Sequence, residues 1–328
     1  MVTATPPHLD YRHRSGAQTD LRKANLRKQV EDLARKAVIP KKIQLRLRLA
    51  MDARHGRMAV MFESITSVRN PRVKHLVRLR DSSHRKRQGR FPVEGRREVE
   101  RALKTGWPLE TLYFCPDFFP RVDAYSVVEA ADAASVDCVL MDKVPFAKAS
   151  LRENPDGILA VAHTRTLSLD DLPAGEPPLL LVAQGIEKPG NLGALLRTAD
   201  ATGADALVAC DPVADLYNPN AVRASQGSFF HVPAAATSTE VLLDWLADKG
   251  IQPVMTTPGA ERTLWEADLT GAVAVVVGAE ASGLPSAWLA APGTSVRLPM
   301  RGLADSLNVN TAAAVCLYEA MRQRSSAR

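Results

Sequence analysis

The chain has 328 residues, of which 46% are hydrophobic and 24% charged, with 22 Pro and 19 Gly. This composition excludes collagen, low-complexity scaffolds and a wholly disordered chain, and the length suits two domains. Residues 1–60 hold 14 Lys/Arg and 5 Asp/Glu, residues 61–100 hold 11 and 5, and the rest hold 17 and 26. A basic front on an acidic body predicts binding to a polyanion such as nucleic acid, with a solvated basic surface as the alternative.

Cysteine and hydropathy patterns exclude several further classes. The four Cys residues form no CxxC pair, so the sequence favours a reducing compartment such as the cytoplasm over a disulfide framework. No apolar run reaches the roughly 18 residues of a membrane helix, and no apolar segment follows the basic N-terminus as in a secretory signal. The seven His residues form neither HExxH nor a close pair, so no metal site is expected.

Residues 1–63 are expected to form a basic N-terminal extension, partly disordered. Residues 20–38 space their apolar side chains as on one face of a helix, which Pro40 should end. The alternating run 43–49 suits a strand or a short two-faced helix equally. As an alternative, residues 1–57 are dispensable or reflect a start codon assigned too early.

Residues 64–165 alternate helical and extended patterns, which predicts a small α/β domain. Val73 and Leu76 fall on one face of a helix, and a basic loop is expected from His84 to Arg90. The polar, proline-rich stretch 166–178 predicts a linker. Further helices are predicted at Glu98–Lys104 and Arg121–Ala134, and strands at 90–95, Leu109–Phe114, Asp137–Asp142 and Gly157–His163.

Residues 179–328 predict a second α/β domain, because near-continuous apolar runs alternate with helical patterns. Runs such as AVAVVVG are typical of strands buried on both faces of a parallel sheet. The predicted strands lie at 179–186, 206–210, 252–257, 272–278 and 294–300, and the helices at 192–202, 219–225, 239–249, 285–290 and 308–324.

Common nucleotide-binding and hydrolytic motifs are missing from this domain. No GxGxxG follows its first strand, and no GxSxG occurs. The glycine-spaced segment 278–283 is followed by Leu-Pro rather than the Lys-Ser/Thr of a P-loop. The sequence therefore argues against dehydrogenases, P-loop NTPases and α/β-hydrolases.

Three polar clusters instead follow the ends of apolar strands, where open α/β sheets bind ligands. In the first, Asn191 either caps a helix or faces a ligand. Arg197 is either a solvated helix side chain or a guanidinium that binds phosphate or carboxylate. In the second, Glu280 lies between two glycines and either favours the start of the next helix or supplies a carboxylate to a site.

The third cluster opens the last predicted helix. Ser306 is suited to cap that helix. Alternatively, Ser306, Asn308 and Asn310 orient a hydroxyl and its departing proton. The order and spacing of the three clusters carry more functional information than any one of them.

The segments NLGALLRTADATGA, VGAEASGL and LPMRGLADSLNVNTAAAVCLYEAMRQR closely resemble the three signature motifs of the SpoU/TrmH branch of the SPOUT RNA methyltransferases. Ser67–Leu103 also resembles the substrate-binding domain that precedes the catalytic domain in many members, except that Pro92 replaces the usual apolar residue before VEG. The resemblance covers residues 64–325. It implies an α/β fold in which a small ribosomal-protein-like domain precedes a parallel-sheet SPOUT domain with a trefoil knot.

The resemblance implies a homodimer that methylates a ribose 2′-hydroxyl in RNA with S-adenosylmethionine. The cysteine and hydropathy patterns add the expectation of a cytoplasmic protein that is not bound to membranes. Ribosomal RNA is the expected substrate, bound by residues 64–165, and residues 179–328 would carry the catalytic domain. The basic loop would bind RNA, and the apolar face of the last helix would meet the partner subunit. The catalytic residues that the resemblance implies are Asn191, Arg197, Glu280, Ser306 and Asn308, and the donor-pocket residues are Thr257, Gly278, Leu298, Met300 and Leu307. The basic charge of the loop predicts that Arg85, Lys86, Arg87 and Arg90 bind RNA. The helical spacing of Ala313, Leu317, Ala320 and Met321 predicts an apolar face, some of which would be buried against the partner subunit.

For the mechanism, we expect Arg197 to bind a phosphate and stabilise developing alkoxide charge, because arginine stays protonated in proteins. Glu280 would hold Arg197, while Asn191 and Asn308 would orient the ribose. The phosphate, Ser306 or water would accept the proton. The alternatives are a tRNA 2′-O-methyltransferase, a base methyltransferase and a catalytically silent RNA-binding or assembly factor.

Overall fold

The computed structural model describes residues 62–120, 124–173 and 175–326. All but the last two residues of the predicted N-terminal extension lie outside this part of the chain. The described residues form two sheets, one of five strands between residues 63 and 163 and one of six strands between residues 179 and 296.

The first sheet has the spatial order β1-β4-β3-β5-β2. Strands β1, β4 and β3 are parallel, and β5 runs antiparallel to both β3 and β2. Pro92 lies in β2, opposite Val161, and is tolerated because β2 is an edge strand. The strands are β1 (Glu63–Ile65), β2 (Arg90–Glu94), β3 (Leu109–Phe114), β4 (Asp137–Met141) and β5 (Ile158–His163), and the helices are α1 (Pro71–Arg78), α2 (Ser82–Gln88), α3 (Arg96–Lys104), α4 (Tyr125–Ala133) and α5 (Lys143–Ala149).

The prediction of a basic loop from His84 to Arg90 is wrong, because residues 82–88 form the helix α2. Asp81 caps this helix, with Oδ1 accepting a bond from Ser83 N at 2.7 Å, and Gly89 ends it with φ of 60°. The segment SSHRKRQ has no apolar period, so only its caps could have indicated a helix.

The second sheet is entirely parallel, with the order β11-β9-β10-β6-β7-β8. Every residue of β6, β7 and β10 is buried, as their apolar sequences predict. The short strand β8 was not predicted. The strands are β6 (Leu179–Gln184), β7 (Ala206–Cys210), β8 (Ala234–Thr237), β9 (Gln252–Thr256), β10 (Val273–Val277) and β11 (Thr294–Val296), and the helices are α6 (Pro189–Thr202), α7 (Pro219–Ala224), α8 (Thr239–Asp248), α9 (Ser286–Ala290) and α10 (Val309–Ser326).

Helix α10 packs against α6 and β10 of its own chain. Ala313, Leu317 and Ala320 are fully buried there and cannot meet a partner subunit, so of the predicted dimer face only Met321 remains exposed. Near the end of α10, the Arg324 guanidinium donates to the backbone oxygens of Pro177 at 2.7 Å and Gly271 at 2.6 Å. These bonds tie the helix to residues that directly precede β6 and β10.

Aromatic rings join the two sheet-bearing regions. The ring of Phe91 in β2 lies 4.9 Å from that of Tyr217 and 5.6 Å from that of Phe229, measured between centroids. Helix α7 also packs against β2. Within the predicted linker, Leu169 and Leu172 are buried against the second sheet. The four cysteines are buried, and none of them forms a disulfide bond. None of the helices in the described ranges is long and apolar enough to cross a membrane.

Candidate active site at the carboxyl edge of the second sheet

Strands β6, β10, β9 and β11 are neighbours and parallel, so the loops that follow them meet at one edge of the sheet. The loop after β10 folds back on itself, and Gly283 N donates to Ala279 O at 2.9 Å. A Cβ added at Gly278 would overlap the carbonyl carbon and oxygen of Gly283. The close return of the backbone therefore requires glycine at position 278.

A chain of side-chain hydrogen bonds connects the first two motifs at this edge. Asn191 lies in the first turn of α6, which begins at Pro189, so it does not cap the helix. Its Nδ2 donates to Glu280 Oε1 in the loop after β10. Glu280 thus binds Asn191, and the expectation that it holds Arg197 is wrong.

The third motif joins the same chain through Asn310, which the sequence analysis left without a firm role. Asn310 Nδ2 donates to Asn191 Oδ1 at 3.0 Å and to Asn308 Oδ1 at 3.1 Å. Asn308 directly precedes α10, and its Oδ1 also accepts from Asn310 N at 3.0 Å. Asn308 therefore takes the capping position that the sequence suggested for Ser306.

Arg197 and Ser306 lie outside this hydrogen-bonded chain. Arg197 is exposed on α6, and its guanidinium forms no hydrogen bond or ion pair with another described residue. Ser306 is exposed, and its hydroxyl donates to Asp305 at 3.2 Å. Both side chains are therefore open to a ligand or a second chain.

The residues assigned to the donor pocket lie in the loops after β9, β10 and β11. Thr257 N donates to Val296 O at 2.9 Å, which joins the ends of β9 and β11. Leu298 and Met300 are half-buried, while Leu307 is 40% exposed. Residues 298–307 make no backbone–backbone hydrogen bond with any residue that the structure describes. This loop therefore presents free main-chain groups beside apolar side chains.

The predicted RNA-binding arginines and lysine have different environments in α2 and β2. Lys86 and Arg87 are exposed. Arg90 is half-buried and paired with Glu110. Arg85 is 1% exposed, and its Nη2 lies 2.6 Å from Asp215 Oδ2. Its assignment to RNA is wrong, because a buried guanidinium that already pairs with a carboxylate does not reach a phosphate.

In the described part of the chain, no group of three or more His, Cys, Asp or Glu side chains could hold a metal ion. The hydrogen-bonded chain is built from three amides and the Glu280 carboxylate, and the loop 298–307 with its free main-chain groups leads directly to it. Such a set can bind a polar organic ligand and orient a hydroxyl or phosphate group.

Comparisons with known proteins identify relatives for both parts of the chain. Residues 178–318 match the SpoU rRNA Methylase family, and residues 70–160 match the MRM3-like substrate binding domain. An uncharacterised tRNA/rRNA methyltransferase of Synechocystis is 35% identical over 80% of this chain and 95% of its own. A 23S rRNA (uridine(2479)-2′-O)-methyltransferase of Streptomyces viridochromogenes is 32% identical over 76% and 88%. The structure of an AdoMet-bound rRNA methyltransferase from Sinorhizobium meliloti is 29% identical over 80% and 98%, with a TM-score of 0.73.

The fold and these matches together define a methyltransferase with an appended substrate-binding domain. The chain belongs to the SpoU rRNA methylase family. The resemblance drawn from the three motifs is thereby confirmed.

Proposed function

We propose that this protein transfers a methyl group from S-adenosylmethionine to a ribose 2′-hydroxyl of ribosomal RNA. The observation that carries the proposal is the hydrogen-bonded chain from Glu280 through Asn191 and Asn310 to Asn308, which brings all three motifs to one edge of the sheet. The family assignment and the AdoMet-bound relative support the donor, and the 23S rRNA methyltransferase among the relatives supports the substrate.

The loops after β9, β10 and β11 fit a nucleoside-like donor. Free main-chain groups in residues 298–307 suit the polar edge of adenine, and Leu298, Met300 and Leu307 supply an apolar lining. Thr257 and the tight turn at Gly278 would complete the pocket. When bound, the donor supplies an electrophilic methyl group on a positively charged sulfur.

Arg197 would bind the phosphate next to the target ribose. It is exposed and unpaired among the described residues, and a guanidinium can hold phosphate with two parallel hydrogen bonds. Because it remains protonated, it would stabilise negative charge that develops on the 2′-oxygen rather than remove the proton. The proton would pass to the phosphate, to Ser306 or to water. Near-normal single-turnover rates with a shifted pH optimum in Arg197→Lys, compared with Arg197→Ala, would instead support a base role.

The family also suggests a trefoil knot and a homodimer, which we include in the proposal. Tyr318 and Met321 remain 48% and 37% exposed on α10, so these side chains, rather than the buried Ala313 face, would contact the second subunit. Leu303, fully exposed in the loop after β11, would add to this surface. Light scattering that shows an active monomer would contradict the homodimer. A cytoplasmic location follows from the proposed rRNA substrate.

The function is tested by mapping 2′-O-methylated nucleotides in RNA from a strain that lacks this protein. We expect one ribosomal position to lose its methyl group and to regain it when the purified protein and S-adenosylmethionine are added. Loss of a tRNA methyl group would move the substrate to tRNA, and loss of a base methyl group would change the chemistry. Failure to bind S-adenosylmethionine in calorimetry would favour an RNA-binding factor without activity.

A further inference from the structure

Asn310 has no role in the mechanism above, yet it connects the first and third motifs. It is the second residue of α10, and its Nδ2 donates to both Asn191 Oδ1 and Asn308 Oδ1. Its own Oδ1 is buried and accepts no hydrogen bond from another residue that the structure describes. A buried carbonyl oxygen without a donor is costly and calls for a compensating reason.

The direction of the hydrogen bonds follows from Glu280. An ionised carboxylate only accepts, so Asn191 must turn its Nδ2 towards Glu280 and its Oδ1 towards Asn310. Asn310 must then present its Nδ2, and its Oδ1 is left unpaired. The charge of one carboxylate thus fixes the orientation of two neighbouring amides.

The same relay, together with the capping bond from the backbone N of Asn310, fixes the orientation of Asn308. Its Oδ1 accepts from both Asn310 N and Asn310 Nδ2, which leaves its Nδ2 on the other side of the amide. Asn308 is exposed, and its Nδ2 donates no hydrogen bond to any residue in the described part of the chain. The relay therefore ends in a free amide donor, and ribose and phosphate oxygens are suitable acceptors for it.

We propose that Asn310 is a positioning residue for ribose methylation. It transmits the orientation set by Glu280 and Asn191, so that Asn308 presents Nδ2 to a ribose or phosphate oxygen of the RNA. This inference rests on the proposed function, and it gives the unpaired Asn310 oxygen a cause: a carboxamide that donates on one side must leave its acceptor on the other.

Two isosteric single variants test the two ends of this relay. In Asn310→Asp the carboxylate cannot donate to Asn191 Oδ1, and it attracts Asn308 Nδ2. If Asn308 turns to it, the capping bond from the backbone N of residue 310 to Asn308 Oδ1 is lost. In Asn308→Asp the carboxylate still accepts the two hydrogen bonds that Asn310 N and Nδ2 donate, and only the outward-facing Nδ2 donor is lost. Because a preorganised donor is worth about 100-fold or more in rate, we expect both variants to lower the single-turnover rate by about that factor while S-adenosylmethionine affinity changes by less than about threefold.

A double variant separates positioning from simple structural support. In Glu280→Gln with Asn310→Asp, the side-chain bonds among positions 280, 191 and 310 can re-form in the opposite direction: the new amide at position 280 would donate to Asn191 Oδ1, and Asn191 Nδ2 to the new carboxylate at position 310. Glu280→Gln alone keeps an oxygen that can accept from Asn191 Nδ2, so the main loss of stability is expected in Asn310→Asp. We expect the urea midpoint of the double variant to recover relative to Asn310→Asp, which is a positive coupling in a double-mutant cycle. The rate should not recover, because the carboxylate at position 310 still cannot donate to Asn308 Oδ1 and instead attracts Asn308 Nδ2 inwards.

Asn220→Asp, at an exposed α7 position whose side chain forms no hydrogen bond with a described residue, is the matched control and should keep the normal rate and midpoint. An Asn308→Asp rate within about threefold of the parent, or a double variant that regains rate together with stability, would overturn the proposal. Absence of coupling in the urea cycle would also overturn it. If the parent binds S-adenosylmethionine but methylates no RNA, the proposed function fails, and the urea cycle still decides whether the relay exists.

Discussion

Arg85 Nη2 and Asp215 Oδ2 lie 2.6 Å apart and form a nearly buried ion pair between α2 and the loop that follows β7. The same guanidinium donates to the backbone oxygens of Leu79 at 2.9 Å and Arg80 at 2.7 Å. Ser82 adds a hydroxyl bond to Asp215 at 3.0 Å. The helix that carries the exposed Lys86 and Arg87 is thereby fixed to the catalytic domain.

We expect Arg85→Ala to destabilise the protein by about 3–5 kcal/mol, because removal of one partner leaves a buried charge unpaired. Urea unfolding measures the loss. Lys86→Ala, one residue further along α2 and exposed, should change stability by less than about 0.5 kcal/mol. Equal effects of the two variants would show that the Arg85–Asp215 pair does not hold the domains together.

We expect the pair Lys86→Ala and Arg87→Ala to weaken RNA binding and to lower the slope of log affinity against log salt by about one to two units, since each lost phosphate contact removes roughly one. A filter-binding salt series provides the slopes. The control pair Lys104→Ala and Lys249→Ala removes two cations that are paired with Glu100 and Asp170. A similar fall in both slopes would indicate a general charge effect rather than a binding helix.

We expect Gly278→Ala to weaken S-adenosylmethionine binding by more than about tenfold, since the new Cβ would meet main-chain atoms of Gly283 that cannot move independently. Calorimetry measures the affinity. Gly271→Ala is the matched control, because an added Cβ there has no atom within 4 Å. Normal donor affinity in Gly278→Ala would place the donor away from the loop after β10.

Glu98 makes stability depend on pH in a defined direction. Burial raises the pKa of this carboxyl, although Arg152 Nη2 lies 3.6 Å from it. Because the pKa of Glu98 is higher in the folded than in the unfolded protein, folding favours the protonated carboxyl. The protonated group therefore makes its full contribution to stability below the unfolded pKa of about 4.3, and this contribution is lost as the pH rises through the folded pKa. Glu98→Gln should therefore gain melting temperature relative to the parent as the pH is raised from about 4 to about 7.

The matched control for this prediction is Glu153→Gln, at an exposed position. Its melting temperature relative to the parent should stay nearly constant over the same range. A constant difference for Glu98→Gln as well would mean that the buried carboxyl is fully compensated by Arg152.

The apolar strands could be predicted from the sequence, because burial on both faces of the sheet requires an unbroken run of apolar residues in β6, β7 and β10. The order of the three motifs could also be read from the sequence. The partners of polar residues could not. Arg85 and Lys86 are adjacent basic residues in the sequence, and only the tertiary packing against Asp215 separates a structural arginine from an exposed lysine. Likewise, Glu280 was expected to hold Arg197, but the carboxylate binds Asn191 across 89 residues of sequence.

The Arg324 bonds to Pro177 and Gly271 have a consequence for biosynthesis. The central strand β6 leaves the ribosome long before α10, since the Arg324–Pro177 bond spans 147 residues. Until α10 exists, the apolar faces of α6 and β10 that it covers stay open to other chains. A nascent polypeptide at that stage carries a completed substrate-binding sheet and an uncovered catalytic one, which makes it a natural client for chaperones that shield hydrophobic surfaces.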